Sequence, residues 1–318
     1  MKNKKDDLTL VQMMSRFSTE DAARKYFEQM RWPEGVACPH CGNVDAARIY
    51  AVTPNPAKKI RAGLYKCAEC LDSFTVTVGT VMEDSHIPLN KWLLAFYMMC
   101  ASKTQVSALQ LQRQLELGSY RTAWFMCHRI RFALKSNPTR KFTGTVEVDE
   151  MYVGGKTKGK GAAYKGNKTP VISVLKRGGH VRSHVVETAN KESIGRIVRG
   201  NVSKKAILNT DEAHAYTLPG REFTAHDTVI HSREDYAHKH ETGRLVTTNS
   251  VEGFFGNAKR SLDGTHHNVS HKYMHLYMAE IDHKYNTRQE SDGVRTDSGI
   301  KGIDGKRLTL RDPMSGNA

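Results

Sequence analysis

Nowhere in the 318 residues does an apolar run approach the ~18 needed to span a bilayer, which excludes a helical membrane protein. No apolar stretch stands behind the charges of Met1-Lys2-Asn3-Lys4-Lys5-Asp6-Asp7 either, so the pattern predicts no secretory signal. Acidic residues are in deficit. Against 48 Lys+Arg there are 33 Asp+Glu, a formal charge of +15 with histidine neutral. The excess is spread along the chain and predicts a polyanionic partner. The length fits about two domains at ~100–200 residues each, and the expectation is a soluble, cytoplasmic, nucleoid-associated protein.

Cysteine is scarce, six in all, yet four are paired in Cys-x2-Cys turns, Cys38-Pro39-His40-Cys41 and Cys67-Ala68-Glu69-Cys70, 25 residues apart. Each turn lets two thiolates converge on one ion, and two turns complete a tetrahedral site for structural Zn²⁺. Pro39 and Gly42 supply turn chemistry, and Phe74-Thr75-Val76-Thr77-Val78 alternates like a short strand. The pattern reads as a zinc ribbon, because disulfides are disfavoured in a reducing compartment. A site closed by four cysteines has no open coordination position for catalysis. His40 reads as a bystander, and Cys100 and Cys127, within apolar helical runs, as core thiols.

A dense apolar helical stretch follows at Pro88 to Lys103, then a helical pattern at Val106 to Leu115, the break Leu117-Gly118-Ser119, and another helix from Tyr120 to about Lys135. Ser119 is a natural N-cap. Helix, short Gly-containing turn and helix fit a helix-turn-helix, whose second helix would present Ser119, Tyr120, Arg121 and Thr122 to bases or phosphates. The same pattern also fits a helical hairpin that merely packs against the rest.

From about Lys141 the periodicity changes to that of strands. Phe142 to Val153 carries Glu147, Asp149 and Glu150, followed by a Gly/Lys-rich segment with Lys156, Lys158 and Lys160. That segment lacks the full Gly-x4-Gly-Lys-Ser/Thr form of a phosphate-binding loop. It reads as a basic hairpin loop touching a nucleic-acid backbone, or as a solvated linker. Thr169–Lys176 and Val181–Glu187 flank a Gly-Gly turn, Ser193–Arg199 is helical, and Ala206-Ile207-Leu208 is a buried strand leading to Asp211. Val229-Ile230-His231 reads as a further strand. This order predicts an α/β domain with a mixed, ribonuclease H-like sheet.

Asp149 and Asp211 thus stand on separate strands, and a third acid, Glu252, sits in Asn249-Ser250-Val251-Glu252. Asn249 as N-cap with Glu252 three residues later would make a capping box. A helix starting here would also place Lys259 two turns beyond Glu252 on the same face. Three converging carboxylates suit divalent-metal phosphoryl chemistry, with hard-cation ligands and open positions for water and phosphate oxygens. Glu147 shares a strand face with Asp149 and is a candidate supporting partner. Glu150 and Glu212 read as structural. His231 fits either an approach to the site or packing, and the histidines from His266 to His275 fit basic or packing roles.

Taken in order, CPHC…CAEC, YRTAWFMCHRIR, VEVDEMYVGGK, LNTDEAHAY and NSVEGFFGNAKR resemble the bacterial insertion-sequence transposases that join an N-terminal zinc ribbon to a ribonuclease H-like DDE core, relatives of the eukaryotic Merlin elements. The resemblance spans roughly residues 15 to 288. It implies Asp149, Asp211 and Glu252 as the Mg²⁺- or Mn²⁺-binding triad, with Lys259, beside Arg260, as a basic residue contacting DNA phosphate. It implies double-stranded DNA as partner, both terminal inverted repeats and target, with a homo-oligomer handling two element ends. The reaction implied is strand cleavage followed by strand transfer. The corresponding segments are an N-terminal helical segment at 1–34, zinc ribbon at 35–85, helix-turn-helix-like region at 86–136, catalytic domain at 140–288 and flexible tail at 289–318. A DNA-binding regulator built on an inactive core, and a ribonuclease H-like nuclease that cuts without joining, are the alternative readings. A zinc-ribbon factor of transcription or translation would leave the C-terminal domain unexplained.

Overall fold

The computed structural model describes residues 8–136, 138–155, 168–230 and 237–309. Lys156, Lys158, Lys160 and His231 lie outside these residues, as does the end of the tail. The chain divides into two units, one formed by residues 1–135 together with 289–318 and the other by residues 136–288. Among the described residues no helix is long and apolar enough to cross a membrane.

In the first unit, α1 (Leu10–Arg16) and α2 (Glu20–Arg31) start at Thr9 and Thr19, whose hydroxyls accept from the backbone N–H groups of Gln12 and Ala22. Strands β1 (Ile49–Ala51), β2 (Tyr65–Cys67) and β3 (Ser73–Phe74) form a small antiparallel sheet. Helices α3 (Leu89–Ala101), α4 (Ala108–Gln114) and α5 (Tyr120–Leu134) follow. Trp92, Phe96, Leu111, Met126 and Ile130 pack with Phe27 of α2 into one core.

The segment after residue 288 corrects an expectation. A flexible tail is expected at 289–318, but Asp292–Lys301 is a helix capped by Ser291, the last helix among the described residues, and Ile300, Ile303 and Leu308 are fully buried. Its polar composition hides a packing surface made of small residues. A Cβ on Gly299 would lie 2.8 Å from a Leu134 methyl, and one on Gly302 would lie 2.3 Å from the Ala133 carbonyl oxygen. The Lys306 ammonium donates to the carbonyls of Ala133 and Lys135, 2.8 and 2.5 Å away, and so caps the end of α5. Arg31 joins three parts of this unit, donating to the carbonyls of Val76 and Val78 and pairing with Asp304.

The second unit is a five-stranded mixed sheet in the order β6-β5-β4-β7-β8. Strands β4 (Thr145–Val153), β5 (Thr169–Lys176) and β6 (Val181–Val185) are antiparallel neighbours. After α6 (Lys191–Asn201), β7 (Ile207–Thr210) pairs parallel to β4. After a short helix α7 (Thr217–Gly220), β8 (Ala225–Thr228) pairs parallel to β7. A separate ribbon of β9 (Ala237–Lys239) and β10 (Leu245–Thr247) leads to α8 (Asn249–His266) and α9 (His271–Asn286); the helix over Asp292–Lys301 is thus α10.

The sheet is covered on both sides, and the alternation of β4 allots its residues to them. Val146 and Val148 join Ile194 and Val198 of α6 in one core, while Met151 joins Val251, Phe254, Met274 and Met278 of α8 and α9 in the other. Glu147 and Asp149 share the parity of Met151 and therefore face the α8–α9 side. Strand β4 begins at Thr145 and not at Phe142, because Gly144 adopts φ +79° and interrupts the extended run. The last strand of the sheet lies at Ala225–Thr228, ahead of the expected Val229-Ile230-His231. Its four residues are only partly buried, so the apolar run that follows gave the stronger strand signal.

Candidate active site

The four knuckle cysteines converge. Their sulfurs all lie within 4.8 Å of one another, with Cys38–Cys70 and Cys41–Cys67 at 3.7 Å. Four thiolates at ~2.3 Å from a tetrahedral zinc would stand ~3.8 Å apart, so the donor set and its spacing fit Zn²⁺. The turns are closed by the backbone, Gly42 N–H donating to the Cys38 carbonyl and Cys67 N–H to that of Asp72. The N–H groups of Cys70 and Glu69 hold the Cys67 thiol down at about 6, while burial and the neighbouring thiols push Cys41 and Cys70 up. The buried residues Cys38, Ile49, Cys67 and Phe74 are flanked by partly buried Trp32, Val36, Tyr65 and Val78, and a metal held by the four cysteines would cross-link the two turns.

Ser119 caps α5, its hydroxyl accepting from Thr122 N–H at 3.1 Å. Tyr120 is about half exposed and Ser119 and Arg121 are exposed, so the start of this helix is open to a partner. Arg129 and Arg131 farther along are buried, and Arg129 donates to the Leu308 carbonyl, which removes both from any contact surface.

In the second unit the β4–β7 register pairs Glu147 with Asn209. Asp149 follows Glu147 by two residues on β4, and Asp211 follows Asn209 by two, just past the end of β7. Asp149 Oδ1 accepts from Glu150 N–H at 2.7 Å, and Asp211 Oδ1 accepts from Ala213 N–H at 3.0 Å. Burial pushes the Asp149 carboxyl up to about 7; the Glu150 N–H opposes this, and the charges of Glu150, Asp211 and Glu252 add to it. The three expected acids therefore share one electrostatic environment. Among the described residues only the cysteines form a set of three or more ligand groups within 4.8 Å of one another, and the three carboxylates do not.

Glu252 sits in the first turn of α8, but not through the expected capping box. The N-cap is Thr248, and its hydroxyl donates to Glu252 Oε1 at 2.6 Å. The carboxylate that serves the helix start comes from β4. Glu147, fully buried, accepts from Ser250 N–H, Val251 N–H and the Ser250 hydroxyl at 2.8, 3.0 and 3.0 Å. It also accepts from Arg177 Nε at 2.8 Å, and the rest of that guanidinium donates to the carbonyls of Leu245 and Thr247. Asn209 Nδ2 donates to the Thr247 carbonyl as well, at 3.2 Å. A negative charge at a helix N-terminus is favourable in itself. Here it also ties the helix bearing Glu252 to the strand bearing Asp149, two residues from Asp149 itself.

Lys259 and Arg260 are exposed on α8. At ~1.5 Å per residue, Lys259 is ~10 Å along the axis from Glu252. Arg260 donates to Asn257. Glu150 faces the opposite side of the sheet and accepts from the buried Tyr216 hydroxyl at 2.7 Å, a structural role as expected. Arg177, Thr248 and Ser250 escaped the sequence reading. Arg177 lies in a hairpin turn, where an arginine carries no signal of burial or pairing. Across the sheet Asp149 is opposite Ser173, and Ser173 opposite Ser183. The two serine hydroxyls are 2.9 Å apart, and Asp282 of α9 accepts from both Ser183 N–H and its hydroxyl at 2.7 Å.

Comparison with known proteins gives this arrangement a context. Residues 141–286 match the ISXO2-like transposase domain, and residues 18–73 match the transposase zinc-ribbon domain. The chain is 28% identical over 282 residues to an uncharacterized protein in transposable element ISH50 of Halobacterium salinarum, an alignment covering 82% of this chain and 89% of that protein. No solved structure matches the chain.

Proposed function

We propose that the chain, with its matches to a transposase zinc-ribbon domain and to an ISXO2-like transposase domain, is an insertion-sequence transposase that binds the terminal inverted repeats of its element and catalyses metal-dependent cleavage and strand transfer. The observation that supports this reading is the β4–β7 register, which pairs Glu147 with Asn209, each two residues before an acid, Asp149 and Asp211, while Glu147 holds the first turn of α8.

Asp149, Asp211 and Glu252 would hold the divalent cations. Their all-oxygen donor set and mutual repulsion fit hard Mg²⁺ or Mn²⁺. When bound, such ions supply activation of an attacking water or 3′-hydroxyl and stabilisation of the leaving oxygen. The chain's own residues do the positioning. Thr248 orients one Glu252 oxygen, the Glu150 N–H orients Asp149 and the Ala213 N–H orients Asp211. Lys259 and Arg260, exposed on the same helix, would hold phosphates flanking the cut. Ser119, Tyr120, Arg121 and Thr122 would read the repeat, and Lys156, Lys158 and Lys160 would add backbone contacts. Phosphate contacts of this kind supply affinity and salt dependence, while base contacts supply sequence choice. The protein would work as a homo-oligomer on two element ends, in the cytoplasm.

The test is nicking of a labelled terminal-repeat duplex in Mg²⁺ by wild type, Asp149→Asn, Asp211→Asn and Glu252→Gln. Loss in all three with repeat binding retained supports the triad. Binding without nicking by the wild type would favour a DNA-binding regulator.

A further inference from the structure

Away from the carboxylates, the turn between β5 and β6 and the approach to β4 enclose a cavity of about 380 Å³. Five of its ten lining residues are cations, Arg140, Lys141, Lys176, Arg177 and Arg182, with His180 beside them, and none is acidic. Gathering like charges in one cleft costs energy unless an anion occupies it. Only Arg177 is neutralised within the fold, through Glu147; among the described residues the other four make no ion pair. Arg182 is nonetheless held in place. Its guanidinium carbon lies 4.0 Å over the Phe142 ring, one nitrogen donates to the Arg140 carbonyl at 2.7 Å and another to Asn201 Oδ1 at 3.3 Å. These neutral partners fix the side chain and leave its charge uncompensated, which is preorganisation for an anion. Arg140, Lys141 and His180 are exposed at the rim.

We propose that this cleft is a docking site for the DNA phosphodiester backbone, separate from the carboxylate site and engaged while a phosphate lies at Asp149. The proposal rests on the reading that the chain acts on DNA. Distance favours a backbone over a free anion. The cleft adjoins the start of β4, where Arg177 N–H donates to the Thr145 carbonyl, and reaches back to Thr143. From Thr145, four residues before Asp149, ~3.3 Å per residue gives ~13 Å along the strand. With charges ~3.4 Å apart on each strand, a duplex running along β4 from a cut at Asp149 would meet the edge of the cleft ~4 base pairs away.

The test uses the full, zinc-loaded chain and a fluorescent duplex, with affinity followed by anisotropy from ~50 to ~200 mM salt. The variant Arg140→Ala/Lys141→Ala/Lys176→Ala removes three cleft charges and spares Arg177 and Arg182, which hold the fold. A control, Lys191→Ala/Arg196→Ala/Lys205→Ala, removes three exposed charges elsewhere in the same unit. The cleft variant should bind about tenfold or more weakly at the lower salt. Its slope of log K against log salt should be shallower by ~2–3, at ~0.9 for each phosphate no longer neutralised. The control should keep nearly the wild-type slope. A cleft variant with the wild-type slope, or a control whose slope falls as far, would overturn the docking site alone. Failure of the wild type to bind any duplex would overturn the DNA reading and the cleft with it.

Discussion

Glu147 and Ser250, 103 residues apart in sequence, are joined by two hydrogen bonds, from the Ser250 backbone N–H and from its hydroxyl. Through them the strand that bears Asp149 holds the helix that bears Glu252. Removing the Glu147 carboxylate would leave two helix N–H groups without their acceptor and Arg177 without its counter-charge. We predict that Glu147→Ala costs about 3–5 kcal/mol in urea denaturation, as expected when one partner of a buried charged network is deleted. Glu147→Gln, which keeps an acceptor, should cost less yet raise the Mg²⁺ concentration needed for half-maximal nicking. Wild-type stability in Glu147→Ala would show that the helix start is held by other contacts.

The C-terminal helix gives a second prediction. Because a Cβ on Gly302 would approach the Ala133 carbonyl to 2.3 Å, and backbone cannot swing aside, Gly302→Ala should destabilise the first unit by about 1–3 kcal/mol. Gly305→Ala meets open space but carries φ +66°, so it should suffer only the smaller backbone penalty. Thermal melts of the two variants would rank them. Equal melting temperatures would mean that α10 docks more loosely than its buried residues indicate.

Asp282 provides a pH dependence of defined sign. Burial pushes its carboxyl up to about 7, against the pull of the Ser183 hydroxyl and N–H. The folded state therefore binds this proton more tightly than the unfolded chain, whose aspartates titrate near ~3.9. Its contribution to stability is present at low pH and is lost as pH rises from about 4 to about 7. Relative to Asp282→Asn, the wild type should lose stability over that window and change no further above it. A wild-type-minus-variant difference that is flat from about pH 4 to about pH 8 would contradict the assignment.

The ribbon should depend on its metal. Its two turns meet at the four cysteines, so stripping zinc with a chelator, or Cys38→Ser, should abolish stoichiometric zinc in elemental analysis. The same treatment should unfold the β1–β3 sheet, read by hydrogen exchange, while the sheet of the second unit stays protected. Full retention of protection across β1–β3 without zinc would show that packing alone suffices.

How far the sequence revealed these features follows from the range of the forces involved. Cysteine knuckles are local, with each pair of donors set by a four-residue turn, and they were legible outright. The parity of Glu147 and Asp149 was legible too, because strand alternation is a local rule. What Glu147 touches was not, since its partners come from 30 and 103 residues away. Local capping chemistry even misled slightly. Asn249 is a good N-cap by type, yet Thr248 takes the position, and the N–H groups of the first turn are served by Glu147 from a distant strand. The segment after residue 288 resembles a tail for a related reason. Gly299 and Gly302 carry no hydrophobic signal, and their value lies in how closely they let α10 approach Cys100, Ala133 and Leu134.

The central claim is that Asp149, Asp211 and Glu252 act together in strand transfer. Its most direct test is the joining of a labelled, pre-cut element end to a target plasmid in Mg²⁺. The account predicts joined product from the wild type and none from Asp149→Asn, Asp211→Asn or Glu252→Gln, with end binding intact in all four. Joining that survives loss of any one carboxylate, or a wild type that hydrolyses uncut ends but never joins pre-cut ones, would contradict it.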